Sequence, residues 1–235
     1  VYYKSFGYHT YDKKNTVRTD DLYDLASITK IAASTGAIMK LVDEKKIKLD
    51  DKLGDHLPEL KGSNKENIVL REMLTHQAGL PAWIPFWQKT MIKGEYKQGV
   101  YNKTQNDTFP HRVAENLYIN KKYPDTLYRQ IINCAVSDSH HYKYSDLGYY
   151  FLEKIVEAKT GSPLDQYAQK TFYSPLGLPT MGYKPRERFE LDRIIPTEND
   201  TKFRKQIVHG DVHDPGAAMM GGVAGHAGLF SDAND

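Results

Sequence analysis

The chain has 235 residues, a formal net charge of +2, 40% hydrophobic residues and 26% charged residues. That balance suits a globular protein with room for one large domain or two lobes, and it gives no basic footprint for nucleic acid. The single cysteine, Cys134, excludes an internal disulfide, and no apolar run nears the roughly 20 residues that span a bilayer.

In chain order, Val1–Tyr8 has strand composition, Asp12–Asn15 reads as a turn and Thr16–Arg18 as a return strand. No signal peptide is visible, and the chain is expected to begin inside a domain. Next comes Ser27-Ile28-Thr29-Lys30, the one Ser-x-x-Lys in the sequence, at the mouth of an apolar helix over Ile31–Val42 that fades at Asp43. A serine hydroxyl attacks poorly until a neighbouring base takes its proton. Residues at i and i+3 of a helix share a face, about 5–6 Å apart at Cβ, so Lys30 can reach the Ser27 oxygen. A helix N-terminus also favours anionic character nearby. The plainer alternative is that Ser27 is simply an N-cap.

A polar connector from Asp50 to Gly62 leads to a short helix with Leu70, Met73 and Leu74 as its apolar stripe, ending before Gly79-Leu80-Pro81. Trp83 to Ser139 lacks clean periodicity and reads as a long irregular excursion. Its aromatics Trp83, Phe86 and Trp87 either pack or wall a cleft, with packing the plainer reading. Cys134 is expected to be a buried, inert thiol. Tyr144-Ser145-Asp146 precedes a helix with Leu147, Phe151, Leu152, Ile155 and Val156 on one face and Gly161 as its C′ residue. A tyrosine hydroxyl beside an ammonium group can relay a proton. Ser162-Pro163 starts another helix, with Leu164, Tyr167, Ala168, Thr171 and Phe172 inward. Gly182–Asp214 reads as polar loop. The glycine-dense tail Gly221–Ser231 places Ser231 as the N-cap of a further helix. A metal site of His209, His213 and Asp214, with His140-His141, is disfavoured, because Gly210 and Pro215 oppose a helix there and no Glu follows the first His. The reading therefore has no metal and no cofactor.

Four stretches in this order resemble the penicillin-recognising serine hydrolases of the class C β-lactamase type, a group that includes D-Ala-D-Ala carboxypeptidases and esterases. They are Leu25–Lys30, Leu70–Pro81, Tyr144–Tyr149, and Gly221-Gly222 through Gly228–Ser231 with Asp235 after it. Together they span nearly the whole chain. The last stretch, with Val212-His213-Asp214, is most similar to modules found behind a family 3 glycoside hydrolase, which implies such a neighbouring domain.

The resemblance implies Ser27 as the acylated nucleophile and Lys30 with Tyr144 sharing general-base duty, since the base of Ser-x-x-Lys enzymes is not assigned to lysine alone. It implies Asp146 as a substrate contact that also holds the lysine network, and the Ser27 N–H as half of an oxyanion hole. The family's third box is Lys-Thr-Gly or His-x-Gly. His226-Ala227-Gly228 matches it by letters but lies in the glycine-rich segment, and His226 is taken as a cleft-lining, substrate-binding residue instead. The implied fold is α/β (α+β): an antiparallel sheet flanked by helices, plus a mostly helical lobe. Residues 1–48 and 216–235 would form the α/β lobe and 49–215 the helical one, in one domain truncated at both ends and lacking the sheet's C-terminal strands. The expected substrates are β-lactams, peptidoglycan-derived D-Ala peptides or small esters, and the expected location is periplasmic or otherwise exported. A non-catalytic module that binds peptidoglycan fragments or a neighbouring domain is the competing reading.

Overall fold

A computed structural model of the chain describes residues 3–235. The molecule is mixed α/β, with shorter helical segments packed on one long helix and small antiparallel sheets beside them. Of the expected Val1–Tyr8 strand, Val1 and Tyr2 lie outside the described residues. The remainder of that hairpin is reduced to one antiparallel bridge, Tyr8 to Thr16, closed by His9 N–H to the Asn15 carbonyl at 2.9 Å. Phe6 and Tyr11 are exposed there, so no apolar face is buried that would hold a longer ladder.

The sheet that carries the Ser27 turn has three short strands. Leu229–Ser231 is central, with Tyr23–Asp24 on one side and Gly182–Tyr183 on the other, both antiparallel to it. Ser231 therefore ends a strand rather than capping a helix. Leu229, Phe230 and Ser231 are all buried, and the pairing on both sides satisfies backbone groups that a helix start would leave open. Gly182–Tyr183, from within the 49–215 span, thus joins the same sheet as residues 23–24.

The long helix, Leu147–Thr160, carries the expected apolar face, and Gly148, Tyr149, Tyr150 and Glu153 are buried as well. Its first half is enclosed on all sides, which a one-face pattern does not announce, while Glu157–Thr160 reach the surface. Gly161 closes it at φ +70, its N–H bonded to the Glu157 carbonyl at 2.9 Å. The short helix Leu70–Leu74 buries Leu70 and Met73.

Two helical segments are π-wound. Lys30–Thr35 leads into the α-helix Gly36–Asp43, and Gln169–Tyr173 follows the α-helix Leu164–Ala168. The wider turn slips the buried position by one residue, so Tyr173 points inward where Phe172 was expected. The two segments meet: the Tyr173 hydroxyl donates to the Ala32 carbonyl at 3.0 Å.

The 83–139 excursion is more ordered than its sequence suggests. It holds the hairpin Met91–Ile92/Glu95–Tyr96, a three-stranded sheet of Tyr101–Asn102, Leu117–Ile119 and His111–Ala114, and the helix Tyr123–Ile132. The expected 182–214 loop likewise contains the hairpin Glu198–Asp200/Gln206–Val208. Asp200 closes that hairpin by accepting N–H groups from Lys202, Phe203 and Arg204. Strands of two to four residues are too short to show an alternation. Cys134 lies just past the Tyr123–Ile132 helix and is only partly buried, because the chain leaves the core there.

Candidate functional site

The turn that presents Ser27 is built from both sides. Asp24 accepts the Ala26 N–H at 2.7 Å and the His213 N–H at 2.7 Å, tying the turn to a distant loop. Burial pushes the Asp24 carboxyl up, and those two N–H donors oppose the rise. Leu25 N–H donates to the Leu229 carbonyl at 2.9 Å, and Thr29 Oγ1 accepts the Leu229 N–H at 3.1 Å. Between these anchors Ala26 sits at φ +45, a left-handed conformation that costs an L-residue about 1–2 kcal/mol. The turn is sharp, and Ser27 is exposed at its tip.

The helix starts at Ile28, directly after Ser27, and passes into the π-wound segment at Lys30, but the Ser27 hydroxyl is not used as a side-chain cap. The Ser27 hydroxyl oxygen instead accepts from Lys30 Nζ at 2.8 Å. Lys30 is 3% exposed and also contacts Asp146 Oδ1 at 2.6 Å and the His226 carbonyl at 3.3 Å. Three acceptors match the three donors of an ammonium group, so the buried charge is both paired and hydrogen-bonded.

The Tyr144 ring face lies 4.8 Å from Lys30 Nζ, and the Tyr149 ring lies 5.5 Å away. The loop carrying Tyr144 is laced to residues 76–82. Lys143 N–H donates to the His76 carbonyl at 2.8 Å, Ser145 N–H to His76 Nδ1 at 3.1 Å, and Asp146 N–H to the Ala82 carbonyl at 2.9 Å. The His76 ring stacks on Tyr144 at 4.4 Å. Burial, and then the Lys30 charge, lower the His76 pKa; the neutral ring is the form whose Nδ1 can accept from Ser145. His76 adopts φ +56, a region that histidine enters more readily than most residues.

His226 is 3% exposed, its ring stacked on Tyr150 at 4.6 Å and its Nε2 2.8 Å from Asp214 Oδ1. Its backbone carbonyl, not its ring, reaches Lys30. Burial opposes charge on Asp214, but His226 and the Ala217 N–H hold its carboxyl at about 2. A cavity of about 40 Å³ beside Asp146 and His226 is walled by Trp83, Phe86 and Trp87. Phe86 is buried and Trp87 stacks on Phe203 at 5.7 Å, whereas Trp83 is 60% exposed at the rim. Two larger cavities, about 340 and 600 Å³, are lined by none of Ser27, Lys30 and Tyr144.

Ser27 and Lys30 are thus brought together with Tyr144 and Asp146 from two separate parts of the chain, with His226, from a third, at their edge. Sequence reasoning assigned no part to Asp24, His76, Tyr149 or Asp214. The signal available was placement: His76 lies inside the Leu70–Pro81 stretch, Tyr149 ends the Tyr144–Tyr149 stretch, and Asp214 stands in the Val212-His213-Asp214 segment. His209 and His213 lie in a bend and hold different partners, the Ile194 carbonyl and Asp24. Among the described residues no group of three or more His, Cys, Asp or Glu side chains is gathered in a way that could hold a metal ion.

A serine on a tight turn, paired with a buried lysine and faced by a tyrosine on a mixed α/β scaffold, defines the class of β-lactamase-like serine hydrolase folds. The sequence profile of the family described as Beta-lactamase matches residues 1–235, and the chain belongs to that family. A protein of Salmonella typhimurium described as "Putative D-alanyl-D-alanine carboxypeptidase" is 33% identical over 237 residues, covering 92% of this chain and 49% of that protein. An Escherichia coli K12 protein of the same description is 32% identical over 235 residues, with the same coverage. The chain therefore spans about half the length of these curated relatives.

Among solved structures, the octameric penicillin-binding protein homologue from Pyrococcus abyssi superposes with a TM-score of 0.67 at 23% identity, covering 100% of this chain and 47% of that one. The β-lactamase/D-alanine carboxypeptidase from Yersinia pestis gives 0.63 at 22% identity, covering 97% and 55%. These likenesses show the fold.

Proposed function

We propose that this chain carries the nucleophile of a serine acyl hydrolase acting on β-lactams, D-alanyl peptides or small esters. The observation that carries the reading is the 2.8 Å contact between Lys30 Nζ and Ser27 Oγ, with Lys30 held by Asp146 at 2.6 Å. In the proposed reaction Ser27 Oγ attacks the substrate carbonyl carbon and its proton passes to the Lys30–Tyr144 pair. The same pair returns the proton to the departing amine or alcohol as the acyl-enzyme forms. Water then releases the acid and regenerates Ser27. For Lys30 to receive a proton it must first surrender one of the three it uses in the resting arrangement. Tyr144, with its ring against Nζ, is the nearby partner suited to that exchange. The Ser27 N–H serves as one oxyanion donor, and such a donor contributes about 2.7–4 kcal/mol in the transition state.

The carboxypeptidase relatives make D-alanyl peptides the first substrate class to try, and a cell-wall substrate implies an exported protein. The test is labelling with a fluorescent penicillin and a fluorophosphonate, in wild type and Ser27→Ala, on this chain and on a C-terminally extended form. Ser27-dependent label with both probes supports the reading. Fluorophosphonate label without penicillin label narrows it to an esterase. No Ser27-dependent label in either form overturns it in favour of a non-catalytic binding module.

A further inference from the structure

We propose that Glu153 is a positioning residue for the nucleophile's lysine, acting through the Gly225 peptide. The inference rests on the reading of Ser27 as nucleophile. Glu153 is 4% exposed on the central helix, and its Oε2 accepts the Gly225 N–H at 2.9 Å. The carbonyl of the same residue accepts from the buried Ser34 hydroxyl at 2.7 Å. A third restraint is steric: a Cβ on Gly225 would stand 2.2 Å from the Tyr149 carbonyl oxygen. Side chain, side chain and backbone therefore hold Gly225 and the two peptide units that meet at it from three directions. The next carbonyl along, that of His226, is the one that accepts from Lys30 Nζ at 3.3 Å. Glu153 thus helps to fix one of the three acceptors that aim Lys30 at Ser27, without touching the reacting atoms.

The grip is sensitive to ionisation. Glu157, Lys154 and Tyr150 neighbour Glu153 on its own helix; Asp165, Tyr128 and Tyr183 face it from other elements. Burial first, then the negative charge of Glu157, pushes the Glu153 carboxyl up to about 8. At neutral pH the protonated form predominates, and its carbonyl oxygen accepts the Gly225 N–H with no buried charge. As pH rises through that range, a desolvated carboxylate forms beside Glu157 and Asp165; the Gly225 N–H favours this charged form but is outweighed by burial and the two like charges, so the side chain is expected to shift toward water and away from Gly225.

The test is the acylation rate by fluorescent penicillin or fluorophosphonate, across pH 6 to 9, in whichever of the two forms above labels. Glu153→Gln keeps an acceptor for Gly225. It is expected to stay within about threefold of wild type at pH 6.5 and to lack the wild-type decline near pH 8. Glu153→Leu removes the acceptor and is expected to lower the maximal acylation rate about tenfold, with the half-saturating probe concentration unchanged. Wild-type rates in a folded Glu153→Leu, or an undiminished pH 8 decline in Glu153→Gln, would overturn the proposal while leaving Ser27 as nucleophile. If Glu153→Leu does not fold, the Glu153→Gln pH profile decides alone. If wild type shows no Ser27-dependent label, the nucleophile reading falls first and this one with it.

Discussion

Lys30 concentrates the physics of the site. It is a buried cation whose charge is balanced by Asp146 and whose donors are taken up by Ser27 and the His226 carbonyl. Removing a partner from a buried pair leaves an uncompensated charge, so Asp146→Ala should cost about 3 kcal/mol of stability in urea unfolding. Lys30→Met in the same chain should recover most of that loss, because the orphaned charge goes with it. Equal and additive losses in the two single variants and the double variant would contradict this account. Lys30→Met alone should lower the Ser27 labelling rate about 10²–10⁴-fold, the usual span for loss of a general base. The i, i+3 spacing of Ser27 and Lys30 was readable from residue types alone. That Lys30 spends two of its donors on a residue more than a hundred positions away and on a main-chain carbonyl near the chain's end was not.

Glycines mark where elements come close. Gly161 and Gly225 are both single glycines in sequence, yet their substitutions should differ sharply. At Gly161 an added Cβ meets nothing within 4 Å, so Gly161→Ala should cost only the left-handed φ, about 1–2 kcal/mol. At Gly225 the same methyl would collide with the Tyr149 backbone oxygen, which belongs to the central helix and has little freedom to move. Gly225→Ala should cost about 3 kcal/mol or more and broaden the thermal transition, measurable by calorimetry. The helices at Leu70–Leu74 and Leu147–Thr160 were legible because each presents an apolar period over its whole length. The π-wound segments were not, since nothing in Lys30–Thr35 or Gln169–Tyr173 departs from helical composition. The two segments pack on each other, where the Tyr173 hydroxyl bonds the Ala32 carbonyl, a contact between residues 141 positions apart.

For the molecule as a whole, two carboxyls, the half-buried Asp214 and the buried Glu153, set opposite pH trends. Asp214 is held at about 2, below its ordinary value of 3.8, so its stabilising contribution is complete above that ordinary value and is lost as pH falls toward 2. Glu153 is raised from 4.5 to about 8. Between those values the folded chain holds a proton that the unfolded chain has released, so stability falls as pH rises from about 5 to 8. Urea midpoints measured across that range should decline in wild type and flatten in Glu153→Gln. A wild-type midpoint that rises from pH 5 to 8, or one whose slope survives the substitution, would show that Glu153 is not the group responsible.

The family resemblance and the order of its motifs were legible in the sequence, and so was the one-turn spacing of Ser27 and Lys30 at a helix mouth; Tyr144 and Asp146 were singled out by the resemblance and by their place before a long apolar helix. How these residues are held became visible in the folded chain alone. Asp24 braces the Ser27 turn through a loop 189 positions away, His76 sets the Tyr144 loop, and Glu153 grips Gly225 across 72 positions. Such contacts join residues with no shared periodicity, and their geometry exists only once the core has brought the elements together.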